Sequence, residues 1–125
     1  MYFLSLPEKT SMDTSGYRLF LPVGLLDYFD IIRVHDDSSG ITIYLEEKNN
    51  INDANAPSRY ESKGFYPSVT VNDFPVRGKA LYLNLRRRRW INKETGEYIN
   101  RDFGMVADGT RLTQEFASFL KGTHR

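Results

Sequence analysis

The chain has 125 residues, of which 40% are apolar and 14% aromatic, and it contains no cysteine. That length suits one domain with its own core, and the composition excludes a wholly disordered chain. The absence of cysteine excludes disulfides, cysteine nucleophiles and thiolate zinc sites. The net charge of +1 hides a segregation: residues 1–62 carry five Lys and Arg against ten Asp and Glu, and residues 63–125 carry twelve against six. Charge divided in this way points to an anionic partner.

The opening MYFLSLPEKT lacks the basic leader of a secretory signal, and no window approaches the roughly 20 apolar residues of a membrane span. A soluble, cytoplasmic protein without membrane association is expected. Residues 1–20 read as a flexible lead-in, with Ser11, Thr14, Ser15 and Gly16 punctuating the segment. Residues 21–122 read as a single α+β domain. Pro22 suits a first helical position, and Leu25, Leu26 and Phe29 fall on one side, which predicts a short helix over Pro22–Phe29.

Ile31–His35 and Ile41–Glu46 read as two strands of a hairpin around the turn Asp36–Gly40. His35 beside Asp36 and Asp37 is a weak metal candidate, because consecutive residues of a strand face opposite ways. The polar, Asn-rich stretch Glu47–Ser62 reads as a connecting loop. Ser68–Asp73 is a third strand, followed by a turn at Asp73–Gly78 and a strand with Leu81, Leu83 and Leu85 on one face. A turn at Asn92–Glu97 and a return strand at Tyr98–Phe103 complete a meander. In RLTQEFASFLKG, Leu112, Phe116, Phe119 and Leu120 define an amphipathic helix, capped by Thr110 or Asp108 and ended by Gly122. The expected architecture is an antiparallel meander of hairpins packed with a short N-terminal and a C-terminal helix.

Nothing in the residues asks for an enzyme. His35 and His124 are far apart in sequence, no phosphate-binding glycine loop occurs, and the acids have no spacing that suggests a metal pair. No cofactor is expected, and the acids of the first half read as a solvated face.

Binding is better supported. Arg86, Arg87, Arg88 and Arg89 follow directly on the leucine strand and end at Trp90, the single tryptophan. Strand alternation puts Arg86 and Arg88 on the face of Tyr82, Asn84 and Trp90, and puts Arg87 and Arg89 on the leucine face. Planar guanidinium groups on both sides of a strand suit two phosphates of one backbone. Arg77, Lys79 and Arg101 are outer contacts, and a helix opening at Arg111 could approach a further phosphate. Tyr82 and Trp90 could support the arginines, stack on an exposed base, or fill the core.

The segments VNDFPVRGKALYLNLRRRRW (71–90) and RDFGMVADGTRLTQEFASFL (101–120) resemble the N-terminal region of bacterial insertion-sequence transposases, of the ISAon-one type and the related ISL-three type. The pattern falls on Asp73, Pro75, Gly78, Leu81, Leu83, Leu85, the four arginines, Phe103, Arg111 and Thr113. The upstream LPVGLLDYF and IYLEEKN extend the likeness from about Leu21 to Leu120.

The resemblance implies a DNA-binding module for a mobile element, without catalysis of its own, working with a separate catalytic transposase chain. It also implies a ribbon-like basic half at 63–122. In the ISL-three type this segment is a zinc ribbon; here no cysteine remains, so zinc is not carried over, and Phe65, Trp90 and Phe103 are expected to supply the missing core. Two alternatives stay open. The acidic half could dock the catalytic chain and leave DNA to it, or Tyr82 and Trp90 could bind single-stranded DNA or RNA.

Overall fold

Two runs of alternating apolar residues, Ile41-Ile43-Leu45 and Leu81-Leu83-Leu85, lie side by side at the centre of the fold. The structure is a computed structural model, and it describes residues 16–51, 58–101, 103 and 112–122. Among these residues the chain forms an α+β fold of two sheets, one α-helix and two short 3-10 turns.

Strands β1 (Phe29–Asp37) and β2 (Gly40–Glu47) form the expected antiparallel hairpin, with a tighter turn than the sequence suggests. Asp37 and Gly40 already pair, so Ser38 and Ser39 alone make the loop. The Asp37 carboxylate closes it by accepting from the Ser39 amide at 2.8 Å and the Ser39 hydroxyl at 2.6 Å. Strand β4 (Val69–Val76) pairs antiparallel with β5 (Lys79–Arg86) around the two-residue turn Arg77-Gly78. The sheet order is β1-β2-β5-β4, and its central pair, β2 with β5, is parallel. This corrects the simple antiparallel meander: alternation fixes which face a strand buries but says nothing about its neighbour or direction. The parallel pair is tight at its start, where a Cβ on Gly40 would lie 2.9 Å from the Ala80 carbonyl oxygen.

The second sheet, in the order β3-β6-β7, is built from β3 (Tyr60–Phe65), β6 (Arg88–Asn92) and β7 (Tyr98–Ile99). Part of the expected loop Glu47–Ser62 is therefore strand. Residues β5 and β6 form one chain direction interrupted only at Arg87, so the arginine run is the place where the chain passes from one sheet to the other. The return strand is two residues long and pairs with Trp90 and Ile91, just beyond the arginines.

The expected N-terminal helix is a 3-10 turn, Leu25–Asp27. Gly24 enters it in the left-handed region at φ 94°, and Phe29 already belongs to β1, so no room for α-helical turns remains. A second 3-10 turn, Tyr17–Phe20, falls within the expected lead-in; Tyr17 and Phe20 pack against the core. Helix α1 spans Gln114–Leu120, with Phe116, Phe119 and Leu120 buried against the leucine face. Its cap is Thr113; Asp108 and Thr110 lie outside the described residues.

Thr113 has two tasks. Its hydroxyl oxygen accepts from the Phe116 amide at 3.2 Å, and the hydroxyl donates to the Asn72 carbonyl at 2.7 Å. The Glu115 carboxylate accepts from the Asn72 amide at 2.7 Å. The start of α1 thus satisfies backbone groups of the edge strand β4, which would otherwise offer a template for strand addition. Thr113→Ala is expected to cost about 1–2 kcal/mol in a urea titration, with Thr113→Ser retaining most of it.

Asp73 is the reverse case, a carboxylate that burial pushes above its usual range, against the opposing bond from the Phe74 amide. A folded value raised above the unfolded one contributes stability below the unfolded pKa of about 3.9 and loses it as pH rises through the folded value. Asp73→Asn is therefore expected to raise the melting temperature at pH 7 and to bring no gain at pH 3.

Candidate nucleic-acid interface

The alternation that buries Ile41, Ile43 and Leu45 continues to Glu47, which is 1% exposed. Its carboxylate ties together the place where the sheets meet. One oxygen accepts from the Arg88 amide at 2.9 Å; the other accepts from the Trp90 indole at 2.7 Å and from Arg101 Nη1 at 3.1 Å. Its backbone carbonyl accepts from Arg88 Nε at 2.9 Å. The Arg101 side chain is largely buried, donates to Asn50 Oδ1 at 2.7 Å, and lies 4.8 Å from the Tyr28 ring centroid. A buried carboxylate is tolerated only when its charge and lone pairs are met, and here three separate donors meet them.

The four arginines have different surroundings, and the contacts of Arg86, Arg87 and Arg88 alternate between two sides of the chain. Arg86 and Arg88 lie on the same side, with their guanidinium carbons 4.1 and 4.6 Å from the Phe65 centroid. Arg86 also pairs with Glu46, its direct neighbour on β2, and Arg88 donates to Ser62 at 3.0 Å. Arg87 points to the opposite side, 5.1 Å from Phe103 and 5.8 Å from Phe119. Burial pushes its guanidinium below the usual arginine value, while the nearby Glu47 charge opposes that change.

Arg89 has the more open setting. It donates to the Tyr98 hydroxyl at 3.2 Å and lies 5.1 Å from the Tyr98 ring and 5.9 Å from that of Tyr66. Both tyrosines are exposed. Among the described residues Arg89 has no carboxylate partner. Ile91 pairs with both Tyr98 and Glu61, which places the three on one face of the second sheet, and Glu61 lies 3.4 Å from Lys63.

The remaining predicted residues are scattered. Lys79 is paired with Asp36 beside the β4–β5 turn, and Arg77 occupies the tip of that turn. Arg101 is in the buried cluster just described. Tyr82 is partly exposed, on the sheet face opposite the leucines and next to Asn84, which donates to Thr70 at 2.8 Å. Trp90 is 1% exposed and cannot stack on a base; Phe103 is buried, and Phe65 is half-buried between two guanidinium groups. Arg111 lies outside the described residues.

Sequence reasoning missed the acids. Asp36–Lys79, Glu46–Arg86 and Glu47–Arg101 each join an acid of residues 1–62 to a base of residues 63–125. Much of the charge segregation is thus matched within the fold. The available signal was the phase of alternation, since Glu47 continues the series of Ile41, Ile43 and Leu45.

Among the described residues, no group of three or more His, Asp or Glu is placed to hold a metal. His35 meets Asp37 at 2.8 Å, while Asp36 turns to the other face and meets Lys79. No helix among the described residues is long and apolar enough to cross a membrane. Comparison of the chain with family models, curated proteins and solved structures finds no match.

The two neighbouring glutamates should respond differently to truncation. Glu47→Ala leaves Arg101 buried without its partner and is expected to cost about 3–5 kcal/mol in chemical denaturation. Glu46→Ala removes a partly exposed, water-screened pair and is expected to cost no more than about 1 kcal/mol.

Proposed function

We propose that this chain is a DNA-binding module of a mobile element, acting on DNA in the cytoplasm beside a separate catalytic chain and carrying out no catalysis itself. Its contact surface is the exposed face of the second sheet, centred on Arg89. The observation that carries this reading is the setting of Arg89: a guanidinium beside two exposed tyrosines, with no carboxylate partner among the described residues. Such a group can still give its donors to a phosphate. Lys93, exposed in the turn that follows β6, adds a further positive charge beyond the other end of that strand. The likeness of residues 71–90 and 101–120 to insertion-sequence transposases supports the mobile-element part of the reading.

Arg86, Arg88 and Arg101 are better read as structural, since each is engaged by an acid, a hydroxyl or a backbone carbonyl of the chain itself. The reading in which the acidic half docks a partner is less supported. Asp36, Glu46 and Glu47 already hold internal cations.

Fluorescence anisotropy with a labelled duplex at low salt tests the proposal. Arg89→Ala is expected to weaken binding several-fold and to flatten the slope of log affinity against log salt by about 0.9, the contribution of one phosphate contact. Arg86→Ala should lower the melting temperature and leave the affinity of the folded protein nearly unchanged. Lack of duplex binding at low salt, or equal affinity of wild type and Arg89→Ala, would defeat the proposal. Tighter binding of a single strand of the same sequence would move the assignment to unpaired nucleic acid.

A further inference from the structure

At the far end of β5, away from the arginine run, an open cavity of about 370 Å3 lies between the Tyr17–Phe20 turn and the tip of the β4–β5 hairpin. Phe20, Ile41 and Val76 give it apolar walls, and Tyr17, Lys79 and Arg77 bring polar groups to it. That volume is within the range of small-molecule sites, and the combination of apolar walls with a few convergent polar groups is typical of them.

The polar groups are not equivalent. The Asp36 carboxylate accepts from the Tyr17 hydroxyl at 2.8 Å and from the Lys79 ammonium. This network holds the Asp36 carboxyl below its usual range, through the Lys79 hydrogen bond first, and burial together with Asp36 pushes the Tyr17 phenol up. The Lys79 charge is therefore matched. Arg77 is different: among the described residues its guanidinium has no hydrogen-bond or ion-pair partner.

Arg77 also stands where an arginine is conformationally disfavoured. Both residues of its turn have positive φ, 51° at Arg77 and 85° at Gly78, as in a type I′ hairpin turn. The first position of such a turn favours Asn, Asp or Gly, and a long side chain there carries backbone strain. The strained residue is thus the one whose positive charge at the cavity is unmatched among the described residues.

We propose that this cavity binds a small molecule with an apolar body and one anionic head group, a carboxylate or a phosphate monoester, with Arg77 receiving the head. Phe20, Ile41 and Val76 receive the body, and the Tyr17–Asp36–Lys79 network fixes the wall beside the head. The site is separate from the Arg89 face and does not depend on DNA binding.

Isothermal titration of the full chain with phenyl phosphate and with benzoate tests this, with inorganic phosphate as the head group alone. At least one of the two aromatic probes is expected to bind once per chain with a Kd of about 1 mM or tighter, and the tighter of them identifies the head group. Inorganic phosphate should bind about tenfold more weakly or not at all, since it lacks the body. Arg77→Asn is expected to weaken the aromatic probe about tenfold, the effect of losing one charge-assisted hydrogen bond. Its melting temperature should hold or rise, because Asn accepts the turn conformation. Failure of both probes to bind, equal binding of inorganic phosphate, or an unchanged Kd in Arg77→Asn would each overturn the assignment. A weaker Kd accompanied by a lower melting temperature would make Arg77 a structural residue and overturn it as well.

Discussion

The carboxylate of Glu47 is the constraint on which the meeting of the two sheets depends. It sits at the end of β2 and is satisfied by an amide of β6, the indole of Trp90 and the guanidinium of Arg101. These donors come from positions 41 to 54 residues further along the chain. An unmatched buried carboxylate would be strongly unfavourable, so arrangements that fail to bring all three donors together are disfavoured. The interaction therefore specifies geometry as well as adding stability. It fixes β6 against β2 and sets the direction in which the second sheet leaves the first.

The arginine run follows from that geometry. A strand that passes from one sheet into another must change its surroundings within a few residues, and Arg86 to Arg89 occupy that passage. Alternate positions face the Phe65 side and the Phe103 side, which removes three of the four guanidinium groups from an uninterrupted solvent face. Arginine suits such a place, because its plane can stack on aromatic rings while its edge donates to carbonyls and carboxylates. The same chemistry that recommends a run of arginines for phosphate binding also recommends it for joining two sheets, and sequence cannot separate the two uses.

What could be read from the sequence followed from local periodicity. The β1–β2 hairpin, the β4–β5 pair, the opposite faces of neighbouring arginines and the apolar stripe of α1 all depend on residues close in the chain. The parallel pairing of β2 with β5 was not legible, since alternation carries no information about partners. Strand β3 was hidden because Tyr60–Phe65 is polar and contains Gly64, with one face open to water. Within the candidate site, the arginine positions were visible and their acids were not. Glu46 and Glu47 look alike in sequence, yet one is partly exposed and the other is 1% exposed, a difference set by the phase of a strand. Trp90 could have been platform or core from sequence alone, and its bond to Glu47 decides for the interior.

The parallel pair has a kinetic meaning. Gly40 meets Ala80 and Glu46 meets Arg86, so each contact closes a segment of 40 residues that itself contains β3 and β4. The two hairpins have near neighbours to pair with, but the join between them must wait for a long loop to close, and such joins slow folding. During synthesis from the N-terminus, β2 leaves the ribosome well before β5 exists. Its inner edge and its apolar face then stand uncovered, together with a glutamate whose donors have not yet been made. The order of synthesis therefore makes the central pairing of the first sheet wait for β5, and until then the nascent N-terminal hairpin carries an open edge that can mispair.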